Sequence, residues 1–229
     1  LKCHGLLHLL LRFESNDPAR HCGWRLLLPV MVDDDKAVLR RRLRSARRAV
    51  GAAERLAAAQ SVDRALKSLG LPRPHSRVAA YQAMDGEIDP TIVLHRALAL
   101  GCEIHFPVIA SPRACRMRFA PLTAEAEPAA ARQDAARWLD LVLVPLVGFD
   151  ADANRLGMGA GYYDRHFAFL RQRRSWRKPL LLGLAFDLQR VDRLPAAGHD
   201  VPLWGIVTER AIYGPAAARA RARPASAGR

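Results

Sequence analysis

The sequence predicts an α/β protein: a three-layer α/β/α sandwich folded as a single domain around a mostly parallel sheet. Three observations carry that prediction. After two helical segments, short apolar strands alternate with helices as far as Tyr213, the pattern that builds parallel sheets through crossover helices. Residues 139–145 and 180–186 are apolar nearly throughout, as expected of strands covered on both faces. The 229 residues, half of them apolar, suffice for one sizeable core.

Taken in order, residues 1–30 stand apart. The chain begins with Leu1, and two short apolar runs flank a polar stretch. His4 and His8 interrupt the first run and no clear small-residue cleavage site follows it, which disfavours a signal peptide. These residues read as a leader outside the domain, with the natural start near Met31 and the domain spanning 31–213. From Asp35 the pattern is helical. Leu39, Leu43, Ala46 and Val50 form an apolar stripe, and Lys36, Arg40, Arg44 and Arg48, each four apart, share another face. A second helix is expected over 52–69, with Leu56, Ala59, Val62 and Leu66 inward. Gly70 ends it, and Pro72 and Pro74 follow.

Residues 77–81 read as a strand. Asp89 is placed to cap a helix over 91–100, with Pro90 in its first position. Strands are expected at 102–108 and 115–119, then an Ala/Glu-rich connection over 124–136. The strand at 139–145 leads through a glycine loop into a helix over 162–173. A strand at 180–186 and a last short one around Ile206 and Val207 complete the sheet. From Gly214 the chain lacks apolar periodicity, and 214–229 reads as a disordered basic tail.

The formal net charge is +14, and seven of the basic residues lie between Lys36 and Arg48. Such a balance suits an anionic partner. Nucleotide phosphates, acidic substrate tails and nonspecific nucleic acid all meet that description, and composition does not separate them. Cys3, Cys22, Cys102 and Cys115 form no C-x-x-C pair, which argues against a zinc site or a disulfide framework. No apolar run approaches the ~18 residues of a membrane-spanning helix.

The segment richest in chemistry follows residues 139–149. Gly157, Gly159 and Gly161 fall at every second position between Arg155 and Arg165. Glycine accepts positive φ and lets another group approach the backbone, and closely spaced amide N–H groups make an anion-binding concavity. A strand, a glycine loop and a helix start therefore form a phosphate cradle. Arg155 and Arg165 lie at its rims, and Asp164 is available for a cation. The spacing is neither the dinucleotide fingerprint G-x-G-x-x-G nor the P-loop.

The full string is narrower than three glycines. Val144-Pro145-Leu146-Val147-Gly148-Phe149-Asp150, then Asn154-Arg155-Leu156-Gly157, then Gly159-Ala160-Gly161-Tyr162-Tyr163-Asp164-Arg165 resembles the signature of the 5-formyltetrahydrofolate cyclo-ligases, also called methenyltetrahydrofolate synthetases. Lys36 and Arg40 resemble the family's N-terminal Lys-x-x-x-Arg helix. Tyr81 to Glu87 resemble its first strand and substrate loop. Phe186, Gln189, Leu194-Pro195, His199-Asp200-Val201-Pro202 and Val207-Thr208-Glu209 resemble its closing segment. The likeness covers roughly residues 36–213 and is collinear throughout.

The resemblance implies a cytoplasmic, monomeric enzyme. Its reaction would be the ATP- and Mg2+-dependent cyclisation of 5-formyltetrahydrofolate to 5,10-methenyltetrahydrofolate, releasing ADP and phosphate through a phosphorylated formyl (imino-phosphate) intermediate. It implies ATP contacts at Lys36, Arg40, Arg155, Leu156, Gly157, Met158, Gly159, Ala160, Gly161, Tyr162 and Tyr163. Folate contacts fall to Gln82, Glu87, Tyr162 and Tyr163, and Mg2+ ligands to Asp164 and Asp200. No covalent nucleophile is implied, and the folate substrate would be free or polyglutamylated, with no membrane and no specific nucleic acid as partners. Ala160 and Trp204 depart from the family's pattern, at a frequent glycine or lysine and at a frequent second acid. The competing readings are a noncatalytic RNA-binding relative and another ATP-using ligase or kinase. Glu87 and its loop are the argument for folate over other acceptors.

Overall fold

The computed structural model describes residues 33–111, 116–122, 135–173, 178–195, 198 and 200–222. The expectations for 1–30, for His199 and for most of 124–136 fall outside them. The described residues belong to one compact unit, Met31–Arg229.

Two helices open it, α1 (Asp33–Ala49) and α2 (Ala52–Ser68). Then come β1 (Arg77–Ala79), α3 (Thr91–Ala99), β2 (Glu103–Ser111) and β3 (Arg116–Pro121). The chain continues through β4 (Leu141–Pro145), the short strands β5 (Gly148–Phe149) and β6 (Arg155–Leu156), and α4 (Tyr162–His166). It closes with β7 (Leu180–Leu184), β8 (Gly205–Val207), β9 (Ile212–Tyr213) and α5 (Pro215–Ala222). The main sheet has the order β3-β2-β1-β4-β7-β8-β9. The pairs β2–β1, β1–β4, β4–β7 and β7–β8 are parallel; β3 and β9 add antiparallel edges. The sheet is mostly parallel, as expected.

Strand alternation makes the three layers. Leu141 and Leu143 of β4 and Leu182 and Leu184 of β7 face a core shared with Val62 and Leu66 of α2, Val93 and Ala97 of α3, and Ala216 of α5. Val142, Val144 and Leu181 face the opposite core, with Phe119, Phe149 and Phe167. Both β4 and β7 are therefore apolar on both sides, which accounts for their unbroken apolar runs. A third, smaller cluster seats Leu39 and Leu43 of α1 on Val147, Leu156 and Leu194.

Several local expectations are corrected. Ala46 is exposed, and its neighbour Arg47 is buried in its place. Leu56 of α2 is exposed, while Ala58 joins Ala59, Val62 and Leu66 inside. Asp89 does accept the Thr91 amide at 2.9 Å, but the cap position itself is Pro90. The helix expected over 162–173 ends at His166 and gives way to a 3-10 turn at Ala168–Gln172. Phe167 at the join is fully buried, with Phe119 and Phe169 rings 5.8 and 6.1 Å away. The tighter pitch eclipses residues three apart, so Phe167 and Leu170 can turn to the same core. The last strand is a β8–β9 hairpin. Residues 215–222 of the expected tail are α5, an alanine-rich helix anchored by the fully buried Ala216. Alanine is the best helix former but leaves no amphipathic stripe to read.

Candidate functional site

β1 sends the chain towards β2 on one side, while its other neighbour is β4. In an open α/β sheet such a switch in strand order leaves a crevice beyond the carboxyl ends of the strands. A cleft of about 660 Å³ lies there, lined by Glu87, downstream of β1, and by Pro145 and Leu146, at the end of β4.

α1 supplies Lys36 and Arg40 to the cleft, one helical turn apart, and the glycine loop supplies its floor from Arg155 to Asp164. The loop is shaped from below by Asp150. This buried carboxylate accepts the amides of Asp152 at 3.1 Å, Asn154 at 3.0 Å and Leu194 at 2.9 Å, and the Asn154 side chain at 2.9 Å. That turn joins β5 to β6 and sets Arg155 at the cleft edge. Gly148 has no room for a side chain, since a Cβ there would lie 2.5 Å from the Leu43 Cδ1. Gly159 and Gly161 have φ of 103° and 66°, a region that a side chain makes costly. Arg40 donates from Nε to the Gly157 carbonyl at 2.9 Å, and Arg165 donates to the Ala160 carbonyl. The loop is thus tied at both ends by arginines. α4 is a single five-residue turn, so the cradle rests on the loop amides and cations rather than on a long helix dipole.

Arg155 pairs with Asp164 through Nη2 and Oδ1 at 2.7 Å, and the Val201 amide reaches the same oxygen at 3.2 Å. The Arg155 guanidinium also lies 5.7 Å from the centre of the Tyr163 ring. Asp200 lines the same cleft. Burial, with Glu87 nearby, holds the Tyr163 phenol well above its ordinary range, so it stays neutral.

Glu87 sits opposite the loop. Asp85 and Gly86 both have positive φ, 54° and 76°, and this reversal carries Glu87 to the cleft. Burial raises the Glu87 carboxyl above its ordinary value, against the opposing pull of the Met84 amide and Arg47. Asp85 is the reverse case: Arg48, and then Arg44, hold it well below the usual carboxylate range.

The structure gathers Lys36, Arg40, Arg155, Leu156, Gly157, Met158, Gly159, Ala160, Gly161, Tyr162, Tyr163, Asp164, Asp200 and Glu87 around one cleft. Gln82 is the exception. It is exposed and does not line the cleft, because the chain reverses only at Asp85, after Gln82 has pointed away. Sequence reasoning gave no role to Ala168, which lines the cleft, or to the Pro145-Leu146 wall. Arg171 also lines it. Arg47, behind Glu87, was missed altogether.

The cations of the lining are Lys36, Arg40, Arg155, Arg165 and Arg171, and the carboxylates Glu87, Asp164 and Asp200. Among the described residues no three His, Cys, Asp or Glu side chains cluster as a metal cage. Asp164 and Asp200 offer oxygen donors on the same lining, the donor type that suits Mg2+.

Comparison with known proteins decides the family. The family model of the 5-formyltetrahydrofolate cyclo-ligases matches residues 32–209. The chain belongs to this family. Among curated cyclo-ligases, that of Haemophilus influenzae is 30% identical over 183 residues, spanning 74% of this chain and 95% of its own length. The mouse enzyme is 26% identical over 196 residues, 79% of this chain and 96% of its own. A solved methenyltetrahydrofolate synthetase from Mycoplasma pneumoniae superposes with TM-score 0.64 at 25% identity, covering 76% of this chain and 99% of its own. The Aquifex aeolicus synthetase superposes at 0.62 with 26% identity, covering 85% and 96%. The cyclo-ligase family makes this chain a ligase of folate one-carbon metabolism. Among the described residues no helix is long and apolar enough to cross a membrane.

Proposed function

We propose that this cleft cyclises 5-formyltetrahydrofolate to 5,10-methenyltetrahydrofolate, using ATP and Mg2+. The observation that carries the proposal is the pairing, in one cleft, of a cation-tied glycine loop with the half-buried acid Glu87. A phosphate cradle alone would serve many ATP-using enzymes; an acid facing it selects an acceptor with donors to offer.

The formamide oxygen of the substrate is a poor leaving group. Transfer of the γ-phosphoryl group to it releases ADP and gives an imino-phosphate; N10 attacks the formyl carbon, the N10 proton is lost, and the C–O bond breaks to release phosphate as the ring closes. The chain's part is positioning and electrostatics, as in phosphoryl transfer generally. Lys36 and Arg40 hold the ATP phosphates from α1, and the amides of 157–161 cradle them from the loop. Arg155, oriented by its pair with Asp164, offers its positive charge to the phosphates. Glu87 accepts from the N–H and amino donors of the pterin, and Tyr163, neutral and half-buried, closes the space between the two ligands. Asp164 and Asp200 would hold Mg2+, which supplies neutralisation of the phosphate charge. Arg165 and Arg171 at the rim suit the carboxylates of a polyglutamyl tail.

The test is the growth of methenyltetrahydrofolate absorbance from 5-formyltetrahydrofolate, with and without Mg-ATP. Stoichiometric ADP release with the absorbance rise is the expected result. ATP hydrolysis without it would move the reading to another acceptor.

A further inference from the structure

Arg47 is the most deeply buried charged side chain in the described core, at 1% exposure. It lies on α1, two turns beyond Arg40, and does not line the cleft. Its guanidinium makes four contacts. Nε donates to the Asp85 carbonyl at 3.0 Å, Nη2 to the Asp85 carboxylate at 3.0 Å, and Nη1 to the Leu146 carbonyl at 3.1 Å. The fourth is the charge contact from Nη1 to Glu87 Oε1 at 3.5 Å. The three shorter bonds fix the guanidinium against the β4 end and the loop backbone. The cation is therefore already in place when Glu87 meets it.

A merely structural clamp needs only Asp85, to which Arg44 and Arg48 already bind from the same helix. A buried arginine is costly to desolvate, and a third partner for Asp85 does not explain one. Two of its contacts go beyond Asp85, the bond to the Leu146 carbonyl and the contact to Glu87, and of these only the second reaches a side chain with a titratable group on the cleft lining. From these contacts we infer that Arg47 is the positioning residue for the substrate acid, holding the Glu87 carboxylate in place on the cleft wall. The inference rests on the reading of Glu87 as the folate-binding acid.

The electrostatics agree. Burial pushes Glu87 towards its neutral form, and Arg47 opposes that. Arg44 from α1 pulls the same way, while Asp85 on Glu87's own loop pushes against it. Tyr81 and Tyr163 also face it; both are held neutral, largely by burial. Burial already outweighs the lowering groups, of which the Met84 amide is the first; without the Arg47 charge only that amide and Arg44 are left to oppose burial and Asp85. Glu87 then takes up its proton at higher pH and loses its acceptor strength for the pterin.

The experiment uses the full chain with Arg47→Met, which removes the charge, and Arg47→Lys, which keeps it but loses the planar fork. The Glu87 carboxyl is followed by ¹³C NMR titration without ligand, its signal assigned through Glu87→Gln. Folate binding is measured against pH in parallel. Arg47→Met is expected to raise the carboxyl's midpoint by about one pH unit or more. The acid limb of folate binding should move up with it, and affinity at neutral pH should weaken about tenfold. Arg47→Lys, which also covers the case that Arg47→Met does not fold, is expected to fall between that variant and the parent. An unmoved Glu87 titration in a folded Arg47 variant would overturn the inference. So would a loss of folate affinity that is undiminished in the Glu87→Gln background, since it would then bypass Glu87. Should Glu87→Gln itself leave folate binding unchanged, the folate reading of the cleft fails; the ligand-free titration reports on the Arg47–Glu87 pair independently.

Discussion

Gly159 carries the sharpest test of the loop. Its φ is 103°, and a Cβ added there would lie 3.7 Å from the Arg40 guanidinium carbon. Gly159→Val therefore forces a backbone conformation that β-branched residues avoid, with its Cβ in ordinary contact with the arginine that ties the loop to α1. The position is exposed and outside the core, so the fold should survive. The variant should melt close to the parent and lose turnover roughly hundredfold or more, the scale of one lost transition-state contact at ~2–4 kcal/mol. Circular dichroism with the methenyltetrahydrofolate assay checks both halves. Wild-type turnover in a folded variant would remove the phosphate cradle from the account. At this scale some of the site was legible and some was not. The glycines stand in line, so the loop could be read from spacing, whereas Lys36 and Arg40, one helical turn apart, stood out through the family resemblance. Arg47 sits in a basic run whose other members are exposed or half-buried, and its burial follows from a loop forty residues away. Position 47 does continue the step from Leu39 to Leu43, but its charge hid that. Gln82 falls outside the lining because the chain reverses only at Asp85, where positive φ on a non-glycine residue leaves no mark in the sequence.

Among the elements, the β5–β6 turn is held by one side chain. Asp150 is 2% exposed and satisfies three backbone amides and the Asn154 side chain. Asp150→Ala leaves several partly buried donors without an acceptor, at a cost on the order of 3 kcal/mol. For a domain of this size the melting midpoint should fall by roughly 6–12 °C, and turnover should drop further because the turn aims Arg155. Thermal unfolding measures the first, and an unchanged midpoint would show that the turn is held by its backbone alone. The elements legible in the sequence were those whose pattern is set by their own burial, β4 and β7 above all. The elements missed were set by neighbours. The segment after His166 tightens to bring Phe167 and Leu170 to one core, and α5 forms on an alanine-rich stretch whose single deep anchor, Ala216, leaves no periodic trace.

Over the whole molecule, the cleft follows from strand order. The switch between β1 and β4 opens the crevice, β1 delivers Glu87 to one side, and the turn after β4 delivers the glycine loop to the other. α1 joins the two, with Arg40 on the loop and Arg47 against Glu87. The strand order was not legible, because hydrophobic patterning identifies strands but not their neighbours. The central claim is that two ligands meet here, each held by its own residue. It is tested most directly by calorimetric titration of Mg-ATP and of 5-formyltetrahydrofolate into Lys36→Ala and Glu87→Ala. Lys36→Ala should weaken Mg-ATP binding and leave folate binding close to the parent. Glu87→Ala should do the reverse, costing folate roughly 1.5–3 kcal/mol, the worth of a charged acceptor. Folate binding untouched by Glu87→Ala, or both variants weakening the same ligand alone, would contradict the account.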